Sequence, residues 1–82
     1  MTEQEIRDAV LESLSGVAPE LDLSEVEDDT DLRNDLDLDS MDFLNFVIAV
    51  SERLGVDVPE ADYGRMDTLA KCVEYLRAAQ AK

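Results

Sequence analysis

Ser40 is the one hydroxyl in the stretch Asp35-Leu36-Asp37-Leu38-Asp39-Ser40-Met41-Asp42, set among carboxylates and followed at once by the longest apolar-periodic run of the chain, Met41 to Leu54. That spacing predicts a helix starting at Ser40, where backbone N–H groups lack intrahelical partners. Asp39 is then the N-cap, accepting from an N–H of the first turn, and Asp42 is placed to reach back as in a capping box. Ser40 should face outward, held but exposed. Taken alone, Asp-Ser before an apolar run is ordinary helix-start chemistry. The alternating Asp35, Asp37 and Asp39 also imitate the opening of a calcium loop, but the imitation fails: the sixth position is Ser40 where Gly is needed, and the twelfth is Phe46 where a bidentate Glu is needed.

The rest of the composition narrows what the serine can do. There is no His and only one Cys, so the commonest general base is missing and a zinc site lacks ligands. No residue is assigned to catalysis or to a resident metal. Lys plus Arg number 7 against Asp plus Glu 21, a formal net charge of −14 with a pI near 4.1. That balance argues against nucleic acid or an anionic membrane and predicts partners with basic patches. It also predicts self-repulsion in the folded state, strongest at low salt. Cys72 cannot form an internal disulfide, and no basic-then-apolar leader opens the chain, so a reducing, cytoplasmic setting is expected. No apolar run reaches membrane-spanning length.

The elements that must position Ser40 follow from periodicity. Eighty-two residues make one small domain, 1–82, with a single core and a thin stability margin; 45% hydrophobic residues in periodic segments favour folding over disorder. Thr2-Glu3-Gln4-Glu5 reads as a capping box for a first helix with Ile6, Val10 and Leu14 inward, ended by Ser15-Gly16. A long connection follows, with one short turn at Ser24–Glu27 and anchors at Leu21, Leu23, Val26, Leu32, Leu36 and Leu38. Its many acids, against a lone Arg33, read as a solvated face. In the second helix Phe43, Phe46, Val47, Val50 and Leu54 form the core side, and Met41, Leu44 and Ile48 a second apolar stripe, which either packs inside or is an interface. Gly55 stops that helix, and Val56-Asp57-Val58-Pro59 is an extended linker. Glu60 to Gly64 makes a short turn, and Asp67 or Thr68 caps a last helix with Leu69, Cys72, Val73 and Leu76 inward and Arg77 and Lys82 near its negative end. The fold class is all-α: three main helices, one short helix and a long first loop, in a monomer.

These residues resemble the acyl carrier proteins and their peptidyl-carrier relatives, small acidic helical bundles. The motif is Asp39-Ser40-Met41, preceded by Thr30-Asp31-Leu32-Arg33-Asn34-Asp35-Leu36, followed by Gly55-Val56-Asp57-Val58-Pro59 and by the tail from Asp67-Thr68-Leu69 to Tyr75-Leu76; the likeness covers nearly the whole chain. It implies that Ser40 is an attachment point, to which a phosphopantetheinyl transferase moves 4′-phosphopantetheine from coenzyme A, and that the arm's thiol carries acyl groups. It implies that Asp39 contacts the transferase's metal besides capping the helix. It further implies that Met41, Asp42, Asn45, Ile48, Ser51 and Glu52 face partners, namely the transferase and acyl-transferring or condensing enzymes with basic patches.

The sequence departs from the usual fatty-acid carrier at Asn45 and Ser51, where acids are common, and at Asp37, where Gly is common. A partner set different from that of housekeeping fatty-acid synthesis is the expectation. The load stays open between fatty acyl, polyketide or related specialised lipid intermediates and aminoacyl, D-alanyl or peptidyl groups. Outside the carrier class the alternative is an acidic interaction module without a prosthetic group. Phe43, Phe46, Val47, Val50, Val58, Met66 and Leu69 would wall any chamber for the load, and a closed core is expected in the unloaded protein.

Overall fold

The computed structural model describes residues 2–80, three α-helices joined by irregular segments and two stretches of 3-10 helix. Helix α1, Glu3–Val17, begins on the expected capping box: Glu5 N donates to Thr2 Oγ1 at 3.2 Å and Thr2 N to Glu5 Oε1 at 3.0 Å. These bonds to Thr2 hold the Glu5 carboxyl below its usual range. Ile6, Ala9, Val10 and Leu14 are buried on one face. Ser13 lies on that face too, and its hydroxyl donates to Ala9 O at 2.8 Å, which satisfies a polar group that burial would otherwise penalise. The helix outruns its expected stop at Ser15-Gly16. Gly16 has no left-handed φ, so nothing breaks the ladder there; Ala18, non-helical just ahead of Pro19, closes the last turn by donating to Leu14 O at 2.8 Å.

The long connection is ordered by short-range bonds and apolar anchors. Asp22 caps a 3-10 turn at Leu23–Glu25, one residue earlier than the periodicity suggested, by accepting from Ser24 N and Ser24 Oγ. Val26, Leu32 and Leu38 are buried, while Leu21, Leu23 and Leu36 pack at the core's edge. Two backbone bonds fasten the segment to the start of the last helix and the residues just before it: Leu32 N to Asp67 O at 2.7 Å and Ala70 N to Asp28 O at 2.9 Å. An isolated antiparallel bridge between Asp31 and Thr68 lies between them.

Helix α2, Ser40–Leu54, buries Phe43, Phe46, Val47, Val50 and Leu54 as its periodicity predicts. Gly55, in the left-handed region at φ 67°, donates to Ser51 O and ends it. Residues 56–59 form an irregular link that is extended at Pro59. The following 3-10 segment, Glu60–Met66, is two residues longer than expected, because Met66 is itself fully buried and carries the chain into the core. Thr68, not Asp67, caps helix α3, Leu69–Gln80: its Oγ1 accepts from Lys71 N at 3.2 Å. Leu69, Cys72, Val73 and Leu76 are buried. Tyr75 Oη donates to Asp62 Oδ2 at 2.6 Å and ties α3 to the 3-10 segment. Lys82, expected at the negative end of α3, lies outside the described residues.

Candidate functional site

The site is built by the turn that delivers the chain to α2. Asp31 does most of this: its carboxylate accepts from Arg33 N at 2.9 Å, Asn34 N at 2.8 Å and Asn34 Nδ2 at 3.2 Å. The backbone bonds from Asn34 and then Arg33 hold its carboxyl below the ordinary range. Asp35 returns the favour by accepting from Asp31 N at 2.9 Å. Asp31 and Asp35 thus order the turn, while Asp35 remains exposed on the solvated face expected of the segment. Asp37 sits at φ 56°, the left-handed geometry that glycine adopts most easily, and its neighbour Leu38 donates to Arg33 O at 2.9 Å to close the turn. Buried Leu38 then pins the chain two residues before Ser40.

Asp39 is the cap anticipated from its spacing: its Oδ1 accepts from Asp42 N at 2.8 Å. The reciprocal half of the box is not made among the described residues, consistent with an Asp being one methylene shorter than the Glu or Gln that normally returns the bond. Ser40 is exposed at the first helical position, as expected. Its Oγ accepts a hydrogen bond from Arg33 Nη2 at 2.8 Å. Periodicity gave no hint of this contact; the signal available was a single cation in an acidic stretch.

Beside Ser40 opens a groove of about 430 Å³, lined by Arg33, Met41, Phe43, Leu44, Glu60, Tyr63, Gly64 and Asp67 as well as the serine. The Phe43 and Tyr63 rings meet edge to face, centroids 6.2 Å apart. Asp67 Oδ1 is buried without a hydrogen bond; the Lys71 ammonium, 3.6 Å away, compensates its charge at longer range. Phe46, Val47, Val50, Met66 and Leu69 are at most 1% exposed and stay behind this surface in the packed core.

Of the positions expected to face partners, Met41 and Ile48 are 63% and 45% exposed. These two side chains of the second stripe therefore do not pack inside, while Leu44 is half-buried in the groove. Asn45 and Glu52 are exposed and Asp42 half-buried. Ser51 is half-buried and donates its hydroxyl to Val47 O at 2.6 Å, so that group is engaged within the helix. Among the described residues, no three His, Cys, Asp or Glu side chains converge as a metal ion requires, and no helix is long and apolar enough to cross a membrane.

A small anionic helical bundle that projects one alcohol from the positive end of a helix, against a lone guanidinium, has the build of a carrier for a covalently attached anionic group. The family model described as "Phosphopantetheine attachment site" matches residues 8–76. Curated relatives named acyl carrier protein include those of Lactobacillus johnsonii, 31% identical over 98% of this chain and 99% of its own length, and Renibacterium salmoninarum, 34% identical over 82% and 78%. Another, from Campylobacter hominis, is 33% identical over 89% and 86%. The chain belongs to the acyl carrier protein family, whose prosthetic group is a covalent 4′-phosphopantetheine.

Proposed function

We propose that Ser40 is the attachment point of the 4′-phosphopantetheine and that the chain carries acyl intermediates in fatty-acid, polyketide or related specialised lipid biosynthesis. The observation that carries this reading is the placement of Ser40: exposed, at the first position of α2, inside the Asp39-Ser40-Met41 motif of a chain matched by the family over residues 8–76. The residues present fit the group. A phosphodiester on this oxygen would meet the early N–H groups of α2, the positive end of the helix dipole and the Arg33 guanidinium. When bound, the arm supplies a terminal thiol that holds acyl groups as thioesters.

The chain's own residues do the rest by position. Asp39 fixes the helix start and so the direction of the serine, and it is near enough in sequence to contact the transferase's metal ion. The exposed Met41 and Ile48, with Asp42, Asn45, Ser51 and Glu52 around them, offer apolar contact inside an acidic field to enzymes bearing basic patches. The transferase and acyl-transferring or condensing enzymes are such partners. With no His in the chain, the base comes from them, and the carrier is a substrate rather than an enzyme. The acyl load is favoured over aminoacyl, D-alanyl or peptidyl loads because the curated relatives are named for acyl carriage.

Intact-protein mass measurement tests the reading. Incubated with coenzyme A and a competent transferase, the protein gains the mass of one phosphopantetheine. Ser40→Ala gains none while keeping its helical circular dichroism. An unmodified wild-type chain would leave an acidic interaction module as the better description.

A further inference from the structure

We propose that Arg33 is the positioning residue of the site, a guanidinium held in reserve to bind the phosphodiester formed on Ser40 and so to set the direction in which the arm leaves the protein. The inference rests on the reading of Ser40 as the attachment point. Its starting observation is an imbalance among the cations. The chain has 7 Lys and Arg, and with Lys82 outside the described residues six are described. Five of these sit within 4.0 Å of a carboxylate: Arg7 with Asp28, Arg53 with Glu12, Arg65 with Asp62, Lys71 with Asp67 and Arg77 with Glu3. Arg33 is the exception among the described residues. It stands in the most acidic stretch of the chain, yet its guanidinium donates to a neutral alcohol, Ser40 Oγ, at 2.8 Å.

The reason lies in the turn. Asp31 and Asp35, the carboxylates nearest to Arg33 in sequence, are occupied with backbone N–H groups of the same turn, and Arg33 N itself donates to Asp31. Both neighbouring acids are thus engaged by the turn, Asp31 attracts Arg33 only at longer range than an ion pair, and Arg33 Nη2 is left to donate to Ser40. A neutral hydroxyl accepts one such bond. A phosphodiester at the same position presents two unesterified oxygens and a full charge, the geometry an arginine fork recognises and a lysine does not.

The need for a cation is clear from the surroundings. Attachment adds a negative charge next to Asp39 and within two residues of Asp42, on a chain already at −14. Like charges at such separations repel, and the helix N-terminus is partly occupied by the Asp39 cap. Arg33 offsets that repulsion and, by gripping the first group of the arm, restricts its sweep to the groove side, since Arg33 and Ser40 line the same groove.

The test uses the full chain loaded on Ser40, with wild type compared to Arg33→Ala and Arg33→Lys. Phosphorus NMR of the loaded wild type should show a phosphodiester resonance displaced from that of the same loaded chain unfolded in urea, where the diester is free of Arg33. The Arg33 side-chain N–H signals should shift on loading. In Arg33→Ala the phosphorus displacement should be lost, with full mass gain and unchanged helical circular dichroism; Arg33→Lys should restore part of it. High salt should erase the wild-type displacement and leave the Arg33→Ala spectrum unmoved. A chain that loads normally but whose phosphorus resonance is the same in wild type and Arg33→Ala overturns this inference alone. A chain that never gains the mass overturns the attachment reading and this inference with it.

Discussion

Leu32 N donates to Asp67 O at 2.7 Å, so the turn that presents Ser40 is bonded to the residue that leads into α3. The Leu32 side chain is fully buried at the same point. The long loop is therefore fixed at both backbone and side-chain level eight residues before the serine. Leu32→Ala removes the side-chain anchor and leaves a cavity, at a cost of about 2–5 kcal/mol, a large share of the stability of a domain this small. Urea unfolding should show the loss. Amide exchange at Leu32 and Ala70, the two donors of the clamp, should speed up before the rest of the core.

Asp37 tests the turn from another side. At φ 56° it occupies a region that Asp tolerates and β-branched residues do not. Asp37→Gly should leave the protein at least as stable as wild type. Asp37→Val should lower stability by about 1–2 kcal/mol. The order Gly, Asp, Val in thermal midpoint checks this, and a Val variant as stable as wild type would show that the turn can reshape.

How much of this was legible beforehand varies with the physics involved. The helices were readable because burial imposes a period: Ile6, Val10 and Leu14 in α1, and Phe43, Phe46 and Val50 in α2, announce their faces through spacing alone. Caps were readable because they are local, as with Thr2 and Glu5 or Asp39 and Asp42. The end of α1 is not legible in the same way, because Gly16 permits a stop without requiring one, and only the φ it adopts decides. The short segment before α3 ran on to Met66 because a tertiary demand, burial of that side chain, extended it. The Arg33–Ser40 contact joins residues seven apart across an irregular turn, and no periodic signal reaches that far. Nor does sequence spacing reveal that Asp31 bonds the backbone of its own turn while Arg33 bonds Ser40.

Net charge sets a third expectation. At −14, with surface ion pairs such as Arg7–Asp28 and Arg77–Glu3 worth little individually, repulsion among exposed acids outweighs the attraction that salt would also screen. Adding sodium chloride should therefore stabilise the fold. Screening of about 1 kcal/mol of repulsion corresponds to roughly a 4–8 °C rise in thermal midpoint for a domain of this size. Calorimetry across a salt series measures it, and a midpoint that falls with salt would mean the ion pairs dominate.

Cys72 makes the fold sensitive to alkaline pH. Its side chain is fully buried in α3, and desolvation pushes the thiol up to about 12, well above its ordinary range. The neutral thiol is the form the folded core accepts, whereas the unfolded chain ionises near the ordinary value. The folded state thus binds the proton more tightly, so the associated stability is complete below about pH 9 and is lost progressively as the pH rises towards about 12. Tyr75 acts with the same sign, because its phenol donates to the Asp62 carboxylate and is held above its usual range. Unfolding free energy measured at neutral pH and at several alkaline points should decline over that window, and Cys72→Ala should flatten the decline even though the smaller side chain lowers stability overall. Iodoacetamide supplies the independent readout: at mildly alkaline pH, alkylation of the native protein should be slow and should track global unfolding in urea. Rapid alkylation of the folded chain would show that α3 opens on its own and that the thiol is not sealed in the core.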